Sequence, residues 1–266
     1  MNPSGLMRGV RKAFLSCTPL LLSGVLFGGC GSVSAKKATA VRKKGAITVT
    51  LPALSKYLPK YADTVTDPVL RRAFAEVFRK DPAALTAEDY RNVRRIRFET
   101  VDFSLLRMDV TLGDGSEKQV SIVSGGEGIT LDGNSFQAFP NLEALDMSGQ
   151  RSLLQVTFSS QEYANTLANL KQLRCLYLSD RGECPGSPAG LAYLVANPGA
   201  MEELGGVTLY ATADVEKLVQ KFPNLKRLRI VKREPGVTLS GLQGLKELRA
   251  LYTPLRCAGN EDLLSL

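Results

Sequence analysis

The sequence holds no histidine among its 266 residues. That absence removes the usual proton carrier near neutral pH, the imidazole ligand of most metal sites, and every Ser-His or Cys-His nucleophile. Acidic residues are missing from positions 1 to 45, which carry Arg8, Arg11, Lys12, Lys36, Lys37, Arg42, Lys43 and Lys44. Those eight cations equal the formal net charge of +8, so the rest of the chain is neutral overall. The basic balance is therefore a property of the N-terminal segment rather than of a folded surface, and no nucleic-acid partner is expected. Long apolar runs are also missing. The apolar run Ala13 to Cys30 falls short of the roughly 20 apolar residues that cross a bilayer. Cysteine is scarce, and only Cys175, Cys184 and Cys257 lie beyond Cys30. They allow one bridge in any of three pairings or three free thiols, and they supply no zinc-ligand spacing. No metal and no cofactor is expected.

Arg8, Arg11 and Lys12 precede the apolar run, which closes on Gly28-Gly29-Cys30. A positive n-region, a short apolar core and small residues at a processing point make an export leader. Its ending, Leu26-Phe27-Gly28-Gly29-Cys30, resembles the lipobox of bacterial lipoproteins, with Phe27 where that family usually has Leu. The resemblance implies that residues 1–29 are removed and that Cys30 becomes an acylated N-terminus. Gly31, in place of Asp after the cysteine, resembles the outer-membrane default of two-membrane bacteria. Two or three acyl chains, at roughly 0.8 kcal/mol per buried CH₂, hold a protein on a membrane surface. Residues 30–45, rich in Ser, Ala, Lys and Gly, make a flexible basic tether.

Residues 46–128 form the next expected region. Asp67-Pro68 opens an amphipathic helix through Leu70, Phe74, Val77 and Phe78, and Thr86-Ala87-Glu88-Asp89 is a capping box for a second, short helix. A strand through Ile96 and Phe98 follows. Met108, Val110 and Leu112 alternate inward before the turn Gly113-Asp114-Gly115, and the chain returns through Val120 and Ile122 as a β-hairpin. The glycine cluster at 124–128 lacks a following Gly-Lys-Ser/Thr and is a loop. The order from Asp67 to Phe98 resembles the N-terminal cap of secreted bacterial leucine-rich-repeat proteins of the internalin-like kind.

From residue 129 to 266 the chain repeats itself. Phe139-Pro140-Asn141-Leu142 returns as Phe222-Pro223-Asn224-Leu225, with a cousin at Ala168-Asn169-Leu170. Apolar pairs at Ile129/Leu131, Leu145/Met147, Val156/Phe158, Leu176/Leu178, Val207/Leu209 and Leu228/Ile230, with a last strand near Leu248 or Leu251, give several spacings of 20 to 21 residues. This pattern resembles a leucine-rich repeat. It implies an α/β solenoid of short parallel strands with helices or loops on the convex side, an N-terminal helical cap and a β-hairpin. The bend asparagine of that family is absent, the equivalent stretches being Ser148-Gly149-Gln150, Ser179-Asp180-Arg181 and Val231-Lys232-Arg233.

In that fold the residues between inward leucines face outward on the sheet. Asp146, Thr157, Tyr177, Thr208, Tyr210, Arg229 and Arg249 or Tyr252 occupy such places, and Tyr and Arg are types enriched at contact hot spots. Lys226, Arg227, Arg229 and Lys232 make an expected basic patch. The expectation is a non-enzymatic, lipid-anchored envelope protein that binds a protein partner, acidic or glycosylated, through Tyr177, Tyr210, Arg229, Asp146 and Tyr252. The alternative is an envelope hydrolase using a carboxylate pair, with Asp132 and Asp146 on adjacent strands.

Overall fold

A computed structural model of the chain describes residues 64–124, 128–149, 154–157, 167, 169–178 and 186–253. Helix α1 spans Pro68–Phe78, and Asp67 caps it by accepting from the backbone of Val69 and Leu70. The other Asp67 oxygen accepts from Asp132 N at 2.8 Å, so one carboxylate ties the helix start to the end of a strand 65 residues away. Thr86 and Asp89 form the reciprocal capping box that opens α2, Ala87–Arg91. Phe74 of α1 packs on Phe139 and Tyr90, with ring centroids 4.7 and 6.2 Å away, and these rings close one end of the core.

The strands are β1 (Val93–Thr100), β2 (Leu105–Leu112), β3 (Glu117–Val123), β4 (Ile129–Asp132), β5 (Ala144–Gly149), β6 (Leu154–Thr157), β7 (Cys175–Tyr177), β8 (Glu203–Leu209), β9 (Arg227–Arg233) and β10 (Ala250–Tyr252). Eight of them form one mixed sheet in the order β10-β9-β8-β7-β5-β1-β2-β3, and β4 pairs with β6 in a separate two-stranded sheet. β1, β2 and β3 form an antiparallel meander, whereas β1 to β5 and every later pair of the large sheet run parallel. Helices α3 (Pro188–Leu194) and α4 (Thr212–Lys221) pack against β8 and each other.

The expected leucine-rich-repeat solenoid is not formed. The even spacing arose partly from counting strands of two different sheets together and partly from taking Val207 and Leu248 as equivalent to Leu228: Leu131 and Val156 face each other across β4 and β6, outside the large sheet. Within the large sheet the equivalent residues are Leu145, Leu176, Leu204, Leu228 and Leu251, separated by 31, 28, 24 and 23 residues, which is no fixed period. Leu204, not Val207, stands opposite Leu176 and Leu228. Val207 follows a bulge at Gly206, whose φ of 82° is open to glycine at little cost. The recurring Phe-Pro-Asn-Leu phrase does have a structural cause. Phe139, Leu142, Phe222 and Leu225 are fully buried at two corners, while the amides of Asn141 and Asn224 donate to the carbonyls of Arg91 and Gly199.

The helix caps, the β1 strand and the hairpin stand where the sequence places them. β2 alternates strictly, with Leu106, Met108, Val110 and Leu112 buried and the residues between them half-exposed. A single buried cluster runs from Val65 to Leu245 and includes Leu176, Leu178, Leu228 and Ile230. Leu228→Ala should therefore cost about 2–5 kcal/mol of stability, while Arg229→Ala, on the opposite face, should cost no more than about 0.5 kcal/mol. Chemical denaturation of the two variants measures this, and equal losses would place Leu228 outside the core.

Candidate functional site

The face of the large sheet opposite the core is polar, and strand register arranges it in rows. Gln119 stands across from Asp109, Asp109 from Arg97, Arg97 from Asp146, Asp146 from Tyr177, Tyr177 from Gly205, Gly205 from Arg229, and Arg229 from Tyr252. One residue from each of the eight strands thus forms a single line. At about 4.8 Å per strand the line is about 34 Å long. A second line, two residues later on the antiparallel β2 and two residues earlier on every other strand, reads Glu117, Thr111, Arg95, Ala144, Cys175, Glu203, Arg227 and Ala250. Arg95, Arg97, Asp109, Thr111, Glu117 and Gln119 border an open depression over the meander.

Four of the expected residues, Asp146, Tyr177, Arg229 and Tyr252, lie in the first line. Tyr210 does not. It sits just past the end of β8, beyond the Gly206 bulge, 59% exposed with the Lys232 ammonium 5.8 Å from its ring centroid. Between Tyr177 and Arg229 the position belongs to Gly205. Thr208 is buried, and Thr157 belongs to the two-stranded sheet. Cys30, Cys184 and Cys257 lie outside the described residues.

Tyr177 does not stand up from the sheet. Its ring lies over Gly205, where a Cβ would collide with the ring's Cδ1, and its hydroxyl donates to Glu203 Oε2 at 3.0 Å. The other Glu203 oxygen meets Arg227 at 3.3 Å. Burial and the Glu203 carboxylate hold the Tyr177 phenol far above its ordinary ionisation range. Cys175, one row away, has a free thiol pushed up to about 11, first by burial and then by Glu203, so it stays protonated at neutral pH and is a poor nucleophile.

The charges of this face are mostly matched. Arg107 bridges Glu99 and Asp109, the latter at 3.5 Å, and Gln119 donates to Asp109 at 2.9 Å. Arg97 is 3.8 Å from Asp146, whose Oδ1 accepts from both the backbone and hydroxyl of Ser148. Three of the four cations of the expected basic patch are paired as well: Lys226 with Glu202 at 2.7 Å, Arg227 with Glu203, and Lys232 with Glu234 at 2.6 Å. The expected carboxylate pair is not assembled, because Asp132 ends β4 in one sheet and Asp146 lies in β5 of the other. Asp132 instead accepts from Asn134 N and Thr66 Oγ1, as a capping group. Among the described residues no group of three or more His, Cys, Asp or Glu is placed to hold a metal ion.

Sequence reasoning missed Arg95, Arg97, Asp109, Gln119, Glu203 and Gly205. The first three were within reach, since the alternation of β1 and β2 already leaves them on the outward face. Gly205 and Glu203 were hidden by taking Val207 and Leu209 as the paired segment of β8.

Gly205→Ala should expel the Tyr177 ring from its resting place and let the phenol titrate closer to the ordinary tyrosine value of about 10. Glu203→Gln should act in the same direction by removing the neighbouring charge. Because the folded phenol titrates above its unfolded value, its contribution to stability is complete below about pH 10 and fades as pH rises further. Ultraviolet titration of the tyrosines follows this, and an unchanged curve in both variants would mean the ring does not rest on Gly205. Compared with protein-family models, curated proteins and solved structures, the chain matches none of them.

Proposed function

We propose that the protein is exported, anchored on the cell envelope by acyl chains at Cys30, and uses the polar face of its eight-stranded sheet to bind a protein partner without catalysing a reaction. One observation carries this reading: the unbroken line from Gln119 to Tyr252, contributed by all eight strands in register. A flat array of fixed side chains suits recognition of a surface. Tyr177 and Tyr252 bring large contact area, and Arg97 and Arg229 bring donors in a rigid fork.

The matched charges refine the nature of the partner. A face in which most cations already have an anion exerts little long-range pull, so selectivity comes from the pattern of signs at contact. The complementary surface carries both signs, with acidic or glycosylated groups over Arg229 and Arg97 and donors over Asp146 and Asp109. The two-row ion-pair pattern also penalises a mismatched partner, because displacing one member strands the other.

The lipid anchor supports the same reading, since a tethered protein meets other envelope components at high local concentration. Gly31 after Cys30 favours the outer membrane where two membranes exist. Cell fractionation tests the anchor: Cys30→Ala should move the protein from the membrane to the soluble fraction, and an unmodified Cys30 in the membrane-bound protein would contradict it. Capture from the native envelope with the full chain, repeated with Tyr177→Ala plus Arg229→Ala, tests the face. The double variant should lose at least about 2 kcal/mol, or roughly 30-fold in affinity, for the captured protein. Wild-type affinity in the double variant would remove this face as the contact surface.

A further inference from the structure

We propose that β3, the outer strand of the large sheet, pairs with β3 of a second copy of this chain to make an antiparallel, two-fold symmetric dimer. Among the described residues β3 hydrogen-bonds to a strand on one side only, that of β2. The ladder is bracketed by Ser124 N donating to Ser104 O and Leu112 N donating to Ser116 O, with an unbroken register between them. Hydrogen-bonded pairs alternate in an antiparallel ladder, so Lys118, Val120 and Ile122 turn their backbone groups toward β2. Glu117, Gln119, Ser121 and Val123 consequently turn theirs to the open edge, and all four residues are exposed. No group among the described residues receives those outward N-H donors.

This edge is self-complementary. When two β3 strands meet antiparallel about a dyad at Val120, Glu117 falls across from the second copy's Val123 and Gln119 from its Ser121. Every outward N-H and C=O of both strands then lies in a hydrogen-bonded pair, giving eight reciprocal bonds with none left over. On the polar face the central contacts join amide to hydroxyl. Natural edges are usually blunted by charge, proline or a bulge, and the five residues Gln119 to Val123 carry none of these. The outer end is apolar too, with Val123 73% and Phe103 98% exposed. A second copy fits better than an arbitrary strand because the same seven residues satisfy both sides at once, and pairing extends the polar face across two chains.

Sedimentation of the processed protein at micromolar concentration should give twice its single-chain mass. Ser121→Pro should halve that mass with unchanged circular dichroism, because the N-H it removes points away from β2 and serves no bond within the chain. The register has its own test. Cα atoms of a hydrogen-bonded pair are about 5.5 Å apart, within reach of a disulfide. Oxidation should therefore crosslink the Gln119→Cys plus Ser121→Cys double variant into a reducible dimer, and neither single variant. A wild-type chain that sediments at single mass, or single variants that crosslink as readily as the double one, would overturn the proposal.

Discussion

Each strand of the parallel part of the sheet is set in place by one carbonyl at the entrance to the neighbouring strand before it. Arg94 O accepts from Glu143 N at 2.7 Å, and Glu143 O accepts from both Arg174 N and Cys175 N. Arg174 O takes Glu202 N and Glu203 N, Glu202 O takes Lys226 N and Arg227 N, and Lys226 O takes Arg249 N and Ala250 N, at 2.7 to 3.2 Å. Because a shift by one residue turns every side chain to the opposite face, these paired donations fix which residues are core and which are surface. Ile96, Leu145, Leu176, Leu204 and Leu228 go in together, all but fully buried. Arg97, Asp146, Tyr177, Gly205 and Arg229 come out together.

The same constraint gives the outward face its chemistry. Neighbours in a row are close enough for direct contact, so cations and anions on adjacent strands meet as Arg97 with Asp146 and Arg227 with Glu203. Exposed pairs of this kind contribute little to stability, about 0–1 kcal/mol each, and their larger effect is to hold side chains in one arrangement. Gly205 serves the same end by omission: only a residue without a Cβ lets Tyr177 lie flat and reach Glu203. An array ordered before contact loses less side-chain entropy on binding, which favours its use in recognition.

Local signals were legible in the sequence because their causes are local. Asp67 with Pro68, the Thr86 to Asp89 box and the Gly113-Asp114-Gly115 turn each act within four residues, and each forms the expected element. Strand partnership is set over distances that no short pattern encodes. The pairing of β1 with β5 joins the meander to the parallel strands, and the diversion of β4 and β6 into their own sheet removes two strands from the apparent repeat. Both depend on which surfaces the folded core leaves available. The outward residues on β5, β7, β9 and β10 were nevertheless found, since inward Leu145, Leu176, Leu228 and Leu251 mark their neighbours. The bulge at Gly206 is what displaced Tyr210 from the line and hid Gly205 and Glu203.

The continuous line across the sheet is open to direct measurement. Spin labels carried on noncanonical residues at positions 97 and 252 stand on β1 and β10, five strand intervals apart. Pulsed dipolar spectroscopy of such a chain, diluted with unlabelled protein, should give one narrow distance centred near 24 Å, from about 4.8 Å per interval. A distance more than half as long again, or a broad distribution with no peak, would mean that the meander and the parallel strands do not share one sheet.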